Sequence, residues 1–394
     1  MKHSVPLAVL LSVAAAASAE DPGGKLKTAD ELPAVKGLPN PFRFANGSAV
    51  RTPEDWRRRQ TEIKALFEDY IYGHMPPKPE KMSVRRGERR VDEASKVALQ
   101  SLTADFEHKG KKLSLYLTLA LPADAKGKVP VVIRRNLGGG PPSGARFSSF
   151  TDRGYAVIDV RFAEIARDQK ERSQGIYKLF GSDSDTGVLM GWAWGVSRVI
   201  DVLEGVAEID ATRIAVIGQD RDAKGVLLAG AFDERIALTV SGYSGCGGTA
   251  PFRVDHGKCE RLDRVVAACP HLLRADVKQF AGKEERLPVD QHLLVALVAP
   301  RAFLDLQGTR GAWTNPEGAQ LTHQAAKKVF AFLKAEDKIG IRYRPISNVI
   351  PPKLLYEDVL PFADHVFFGK KLPEEFGHLP YKEDTEAFKW EAPK

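Results

Sequence analysis

One stretch constrains the fold more than any other: Arg213-Ile214-Ala215-Val216-Ile217-Gly218, then Gln219-Asp220-Arg221, then the small and apolar residues from Asp222 to Ala231. The first segment reads as a strand, the second as a sharp turn and the third as a helix. A glycine two residues before a sharp strand-to-helix turn is the geometry of a nucleophile elbow. The apex residue projects its side chain above the sheet, and the next backbone N–H faces a developing oxyanion. Asp220 occupies the apex. Taken alone, an aspartate at this point reads equally well as a helix N-cap.

The rest of the chain supplies the context such a unit needs. Glu54 to Tyr72 has helical apolar spacing, and residues 78–95 read as a charged loop. Val97 to Phe106 and Leu113 to Leu121 form a hairpin around His108-Lys109-Gly110-Lys111. Strands are expected at Val129–Ile133, Tyr155–Val160, Arg213–Gly218, Ile236–Val240, Arg301–Leu306 and Gly340–Arg344. Helices are expected over Met190–Ala207, Asp222–Ala231, Glu317–Ala335 and Leu355–Phe368. Strands alternating with helices of this length predict right-handed crossovers and a mostly parallel sheet, with an antiparallel hairpin at one edge and helices on both faces. The expected division is a leader at 1–19, an extension with one helix at 20–95, the sheet domain at 96–371 and a loose tail at 372–394.

Composition narrows the function classes. Twenty-eight per cent charged and 43% hydrophobic residues describe a soluble globular protein. The net charge of +7 arises from 58 basic and 51 acidic residues, a diffuse excess without a basic stripe. No nucleic-acid partner is expected, and no membrane partner, since beyond the N-terminus no apolar run is long enough to span a bilayer. Met1-Lys2-His3, the apolar run from Val5 to Val13 and Ala17-Ser18-Ala19 together read as a signal peptide cleaved near Ala19. The expected location is therefore secreted or periplasmic. Cys246, Cys259 and Cys269 allow one local bridge, Cys246–Cys259 or Cys246–Cys269, or three free thiols. No metal site is expected, because there is no CxxC and His256 beside Cys259 is the only adjacent imidazole. No cofactor is expected either.

The elbow segment Ile217-Gly218-Gln219-Asp220-Arg221-Asp222-Ala223-Lys224-Gly225, followed by Ala229-Gly230-Ala231-Phe232-Asp233-Glu234-Arg235, resembles the glucuronoyl esterases, a family of carbohydrate esterases. In that family the turn reads Gly-x-Ser-Arg-x-Gly-Lys. The resemblance continues through Tyr72-Gly73-His74-Met75-Pro76-Pro77, Trp192-Ala193-Trp194-Gly195, Ser244-Gly245-Cys246-Gly247-Gly248, Leu287-Pro288-Val289-Asp290-Gln291-His292, Leu297-Val298-Ala299-Pro300-Arg301 and Trp313-Thr314-Asn315-Pro316. It implies an α/β-hydrolase fold and cleavage of glucuronate esters such as those between lignin and glucuronoxylan. It also implies sugar contacts by Lys224 and Trp313, an oxyanion contact by Arg221, and an oxyanion loop at Gly138 and Gly139.

The departures fall on the catalytic positions. Ester hydrolysis of this kind needs a hydroxyl nucleophile, an imidazole base and an orienting carboxylate. Asp220 stands where the family has serine. Tyr243 and Thr309 stand at the two locations where family members carry the acid. Val349 stands near the base position, in a loop from Pro345 to Pro352 without histidine. The expectation is a catalytically inactive relative that keeps a cleft for a plant-type acidic polysaccharide or a saccharide fragment. Two alternatives stay open: an ester hydrolase with Asp220 as nucleophile, and a scaffold domain with a closed cleft. His365 and His378 read as surface residues, and His292 as a packing residue.

Overall fold

The structure is a computed structural model that describes residues 26–136, 142–347, 351–384 and 386–393. Gly138, Gly139, Val349 and the leader at 1–19 lie outside the described residues. Nine strands form one sheet in the order β1-β2-β3-β5-β4-β6-β7-β8-β9. They are β1 (Lys81–Asp92), β2 (Val97–His108), β3 (Lys111–Pro122), β4 (Val129–Arg135), β5 (Ala156–Val160), β6 (Ile209–Gln219), β7 (Ile236–Gly242), β8 (Ala302–Gly308) and β9 (Ile339–Arg344). The first three and β5 pair antiparallel, while β5-β4-β6-β7-β8-β9 is parallel throughout.

The parallel strands read as continuous apolar runs because both of their faces are covered. On β4, Val131 and Ile133 enter one core cluster and Val132 the other. On β6, Ile214 and Val216 lie on the first face, Ala215 and Ile217 on the second. The first face is closed by the helices Pro53–Phe67, Val188–Leu203, Arg221–Phe232 and Pro316–Phe332, through Trp56, Trp194, Leu227 and Phe330. The second is closed by the helix Pro352–Phe368, through Leu355, Val359 and Phe362, with Phe147 and Phe150 beside it.

Two sequence expectations change. The charged stretch expected as a loop over 78–95 is the edge strand β1. Its residues lack apolar alternation because they are nearly all exposed. Cross-strand ion pairs hold it instead, Lys81 with Glu107 at 2.7 Å and Arg85 with Asp105 at 2.8 Å. Charge on an exposed edge also discourages pairing with another chain. The tail is not loose either. Trp390 stacks on His292 and Phe388, and its indole N–H donates to the Leu38 carbonyl at 2.9 Å. Among the described residues no helix is long and apolar enough to cross a membrane.

Chain order reverses at β4, which has β5 on one side and β6 on the other. In open α/β sheets the crevice at such a switch point, beyond the carboxyl ends of the strands, is where ligands bind. Arg135 ends β4 and Gln219 ends β6, so the turn at Asp220 opens into that crevice.

Candidate functional site

The elbow is built as the sequence implies. Asp220 has φ 57° and ψ −127°, a backbone region that side chains other than glycine's strongly disfavour. Its N–H donates to the Gly242 carbonyl at 2.8 Å, and its carbonyl accepts from Ala223 N–H at 3.1 Å, so both neighbouring elements lock the turn. Gly218 is needed for close approach: a Cβ there would lie 2.6 Å from Ala223 Cα. The helix begins at Arg221. Asp220 itself is exposed at the apex.

Each charge around the apex is then accounted for. Asp220 adjoins Arg221 and lies one helical turn before Lys224, yet it pairs with neither. Arg221 Nη1 lies 2.7 Å from Asp168 Oδ2. The other Asp168 oxygen is 2.7 Å from His271 Nε2. Hydrogen bonds from His271 and Arg221 hold the Asp168 carboxyl down, to about 2. Lys224 is 2% exposed, with Nζ donating to Glu260 Oε2 at 2.7 Å and to the Cys246 carbonyl at 2.6 Å. Asp222 is buried and meets Arg135 Nη1 at 2.8 Å, while burial pushes its carboxyl up to about 6. The reason for this pairing is local. Lys224 turns into the interior, and an exposed carboxylate competes poorly with partners already fixed by packing.

Trp313 is 44% exposed. The Arg264 guanidinium carbon lies 5.5 Å from the centroid of its ring, and its carbonyl accepts from Glu260 N–H at 2.8 Å. Glu260 thus joins Trp313, through its backbone, to Lys224, through its side chain. Tyr243 has φ 56° and is buried, and its hydroxyl has no hydrogen-bond partner among the described residues. Burial pushes the phenol pKa up, so the group stays neutral. Thr309 is exposed, and its N–H donates to the Arg344 carbonyl at 2.9 Å. Beneath the strand ends, Ser244, Thr249, Gln307 and Asp305 form a buried chain of hydrogen bonds, Gln307 Nε2 reaching Asp305 Oδ1 at 2.9 Å. Burial raises the Asp305 carboxyl to about 8.

The remaining expectations divide. His292 packs as expected, with Nε2 2.7 Å from the Pro39 carbonyl, and burial lowers its pKa to about 4. His365 is half-buried with Nδ1 2.8 Å from the Lys370 carbonyl, and His378 is exposed. The single disulfide is not formed: all three cysteines are free, Cys259 Sγ donating to Asp255 Oδ1 at 3.1 Å. Among the described residues no cluster could hold a metal ion. Asp168, Glu260, Arg264 and His271 were not singled out from the sequence. Arg221 and Asp168 are 53 residues apart, Lys224 and Glu260 36 apart, and no spacing or period marks such pairs.

Comparison with known proteins is consistent with this architecture. Residues 105–334 match the family described as glucuronyl esterase of fungi. The 4-O-methyl-glucuronoyl methylesterase of Cerrena unicolor is 33% identical over 320 residues, covering 77% of this chain and 63% of that enzyme. The chain therefore spans less than two thirds of that relative's length. Carbohydrate esterase MZ0003, from an unknown prokaryotic organism, is 30% identical over 393 residues, covering 84% of this chain and 90% of the other. Among solved structures, a carbohydrate esterase family 15 glucuronoyl esterase from Caldicellulosiruptor kristjansonii superposes with a TM-score of 0.79 at 30% identity, covering 92% of this chain and 98% of that one. The glucuronoyl esterase catalytic domain from Hypocrea jecorina gives 0.79 at 26% identity, over 94% and 99%. The elbow, the parallel sheet that carries it and these likenesses together make the chain a member of the glucuronyl esterase family, with an α/β-hydrolase fold.

Proposed function

We propose that this chain is a catalytically silent glucuronoyl-esterase relative, exported after cleavage near Ala19, whose cleft binds an acidic saccharide of the kind released from glucuronate-bearing plant polysaccharide. The observation that carries this reading is the apex itself. A strained elbow presents Asp220, a carboxylate, and no described histidine hydrogen-bonds to it. Hydroxyl nucleophile, base and acid are all replaced, by Asp220, by Val349 in a loop without histidine, and by Tyr243 and Thr309.

An Asp220 nucleophile would still need a base to activate the water that resolves its ester intermediate. His271 is the histidine tied to the elbow, through Asp168 and Arg221. Its Nε2 is engaged by Asp168 and its Nδ1 is buried without a partner, so neither nitrogen presents itself to water. That geometry disfavours the catalytic alternative. The exposed Trp313, tied through Glu260 to the buried Lys224, supports the saccharide-binding reading over the scaffold one.

The test is turnover by the purified mature chain on methyl glucuronate and on simple acetyl esters. No hydrolysis above background is expected, for the chain as it stands or for Asp220→Ser. Hydrolysis that Asp220→Ala abolishes would establish the nucleophile reading instead.

A further inference from the structure

We propose that Arg264, stacked on Trp313, receives the carboxylate of the bound uronic acid, so that the acid group docks on the Trp313 wall and not at the elbow; this rests on the saccharide-binding reading above. Charge pairing leads to it. Arg135 is matched by Asp222, Arg221 by Asp168 and Lys224 by Glu260. Arg264 makes no ion pair among the described residues, and its one hydrogen bond there runs from Nη1 to the Cys259 carbonyl at 3.2 Å. Of these four cations it is the one with no carboxylate within ion-pair distance among the described residues. The apex carries the opposite sign, because Asp220 is exposed and matched by none of the four.

Geometry favours the same site. A guanidinium lying over an aromatic ring keeps its N–H donors at the edge; with Nη1 on the Cys259 carbonyl, Nε and Nη2 remain as a fork that suits a carboxylate bidentately. The 44% exposure of Trp313 leaves indole surface for a pyranose next to that edge. The platform is also fixed: Glu260 binds the Trp313 carbonyl through its N–H and Lys224 through its carboxylate. A uronate resting on the indole therefore meets a positive, pre-positioned fork on one side and a repelling carboxylate towards the elbow. An ester of the same sugar lacks the charge that the fork selects. The preferred ligand is the free acid, the product form of the family's reaction.

Calorimetry on the full mature chain with three probes decides the matter: xylotriose bearing a glucuronic acid branch, the methyl ester of that compound, and plain xylotriose. The acid should bind about tenfold more tightly than the ester, as one charge-assisted contact implies. That preference should shrink as salt rises. Arg264→Gln should erase the preference while leaving plain xylotriose unchanged, and Arg264→Lys should retain part of it. Trp313→Ala should weaken all three probes. If Arg264→Gln keeps the acid preference while Trp313→Ala loses binding, the proposal falls and the saccharide-binding reading stands. If the unaltered chain binds none of the probes, both fall.

Discussion

Arg221 donates to Asp168 Oδ2 at 2.7 Å, while Asp220, the residue before it and the apex of the elbow, forms no part of that pair. The turn therefore keeps the strained backbone of a nucleophile elbow around a side chain that makes no ion pair with Arg221 or Lys224. Arg221 is neutralised by a residue 53 positions earlier, and His271 is held by the same carboxylate. What stands at the apex is an exposed carboxylate on a strained backbone.

That strain predicts a stability gain. With φ 57° and ψ −127°, Asp220 sits where a non-glycine residue costs roughly 1–3 kcal/mol. Asp220→Gly removes that cost, against about 0.5–1 kcal/mol of added freedom in the unfolded chain. A net rise of about 1 kcal/mol is expected in urea unfolding. Asp220→Ala keeps a Cβ and should gain far less. Equal effects of the two substitutions would show that the backbone strain is not what Asp220 contributes.

The buried chain below the strand ends predicts a pH effect. Burial raises the Asp305 carboxyl from 3.8 to about 8, so the folded state holds this proton more tightly than the unfolded state. The stabilisation is complete below 3.8 and is lost as the pH rises through about 8. Asp305→Asn cannot lose a proton there. Its melting temperature should fall less than that of the parent between pH 5 and pH 9, and parallel curves would show that Asp305 titrates normally.

Much of the fold was legible because apolar period and turn chemistry are local. The strand at Arg213–Gly218, the turn at Asp220 and the following helix could be read from a dozen residues, and β6 and the helix from Arg221 fall there. β1 was not legible, since an edge strand exposed along nearly its whole length has no alternation to read. The candidate site was legible in part. Arg221, Lys224 and Trp313 follow from the resemblance, but their partners come from separate segments that only the assembled sheet brings together, Asp168 and Glu260 from loops and Arg264 from the short helix Leu262–Ala268. The placement of Trp390 likewise depends on a contact across most of the chain, its indole N–H donating to the Leu38 carbonyl 352 residues away.

Tyr243 offers a contrast in sign. Its hydroxyl is buried without a hydrogen-bond partner among the described residues, so Tyr243→Phe removes an unsatisfied group and little packing. The variant should be as stable as the parent or up to about 1 kcal/mol more stable. Tyr243→Glu, which introduces a family-like acid, should lose about 3 kcal/mol at neutral pH because the carboxylate enters a buried position. A Glu variant as stable as the parent would mean that the site admits water.

The pair that ties the floor to the Trp313 wall predicts unequal costs for its two halves. Lys224 is nearly fully buried, with 2% of its side chain exposed, whereas 19% of the Glu260 side chain is exposed. Glu260→Ala leaves an ammonium in the interior with the Cys246 carbonyl at 2.6 Å and no counter-charge. That should cost about 3 kcal/mol, the lower end of what breaking a buried pair costs, because the pair is partly wetted from the Glu260 side. Lys224→Met leaves a carboxylate that water reaches and a carbonyl that has lost its donor, at about 1–2 kcal/mol. Once the ammonium is gone, removing Glu260 has little left to break. The double variant should therefore unfold close to Lys224→Met alone, with a coupling of about 3 kcal/mol in the cycle. Costs that simply add in urea unfolding would mean that the two groups contribute separately, and that the wall is held by the Glu260 backbone bond to Trp313 alone.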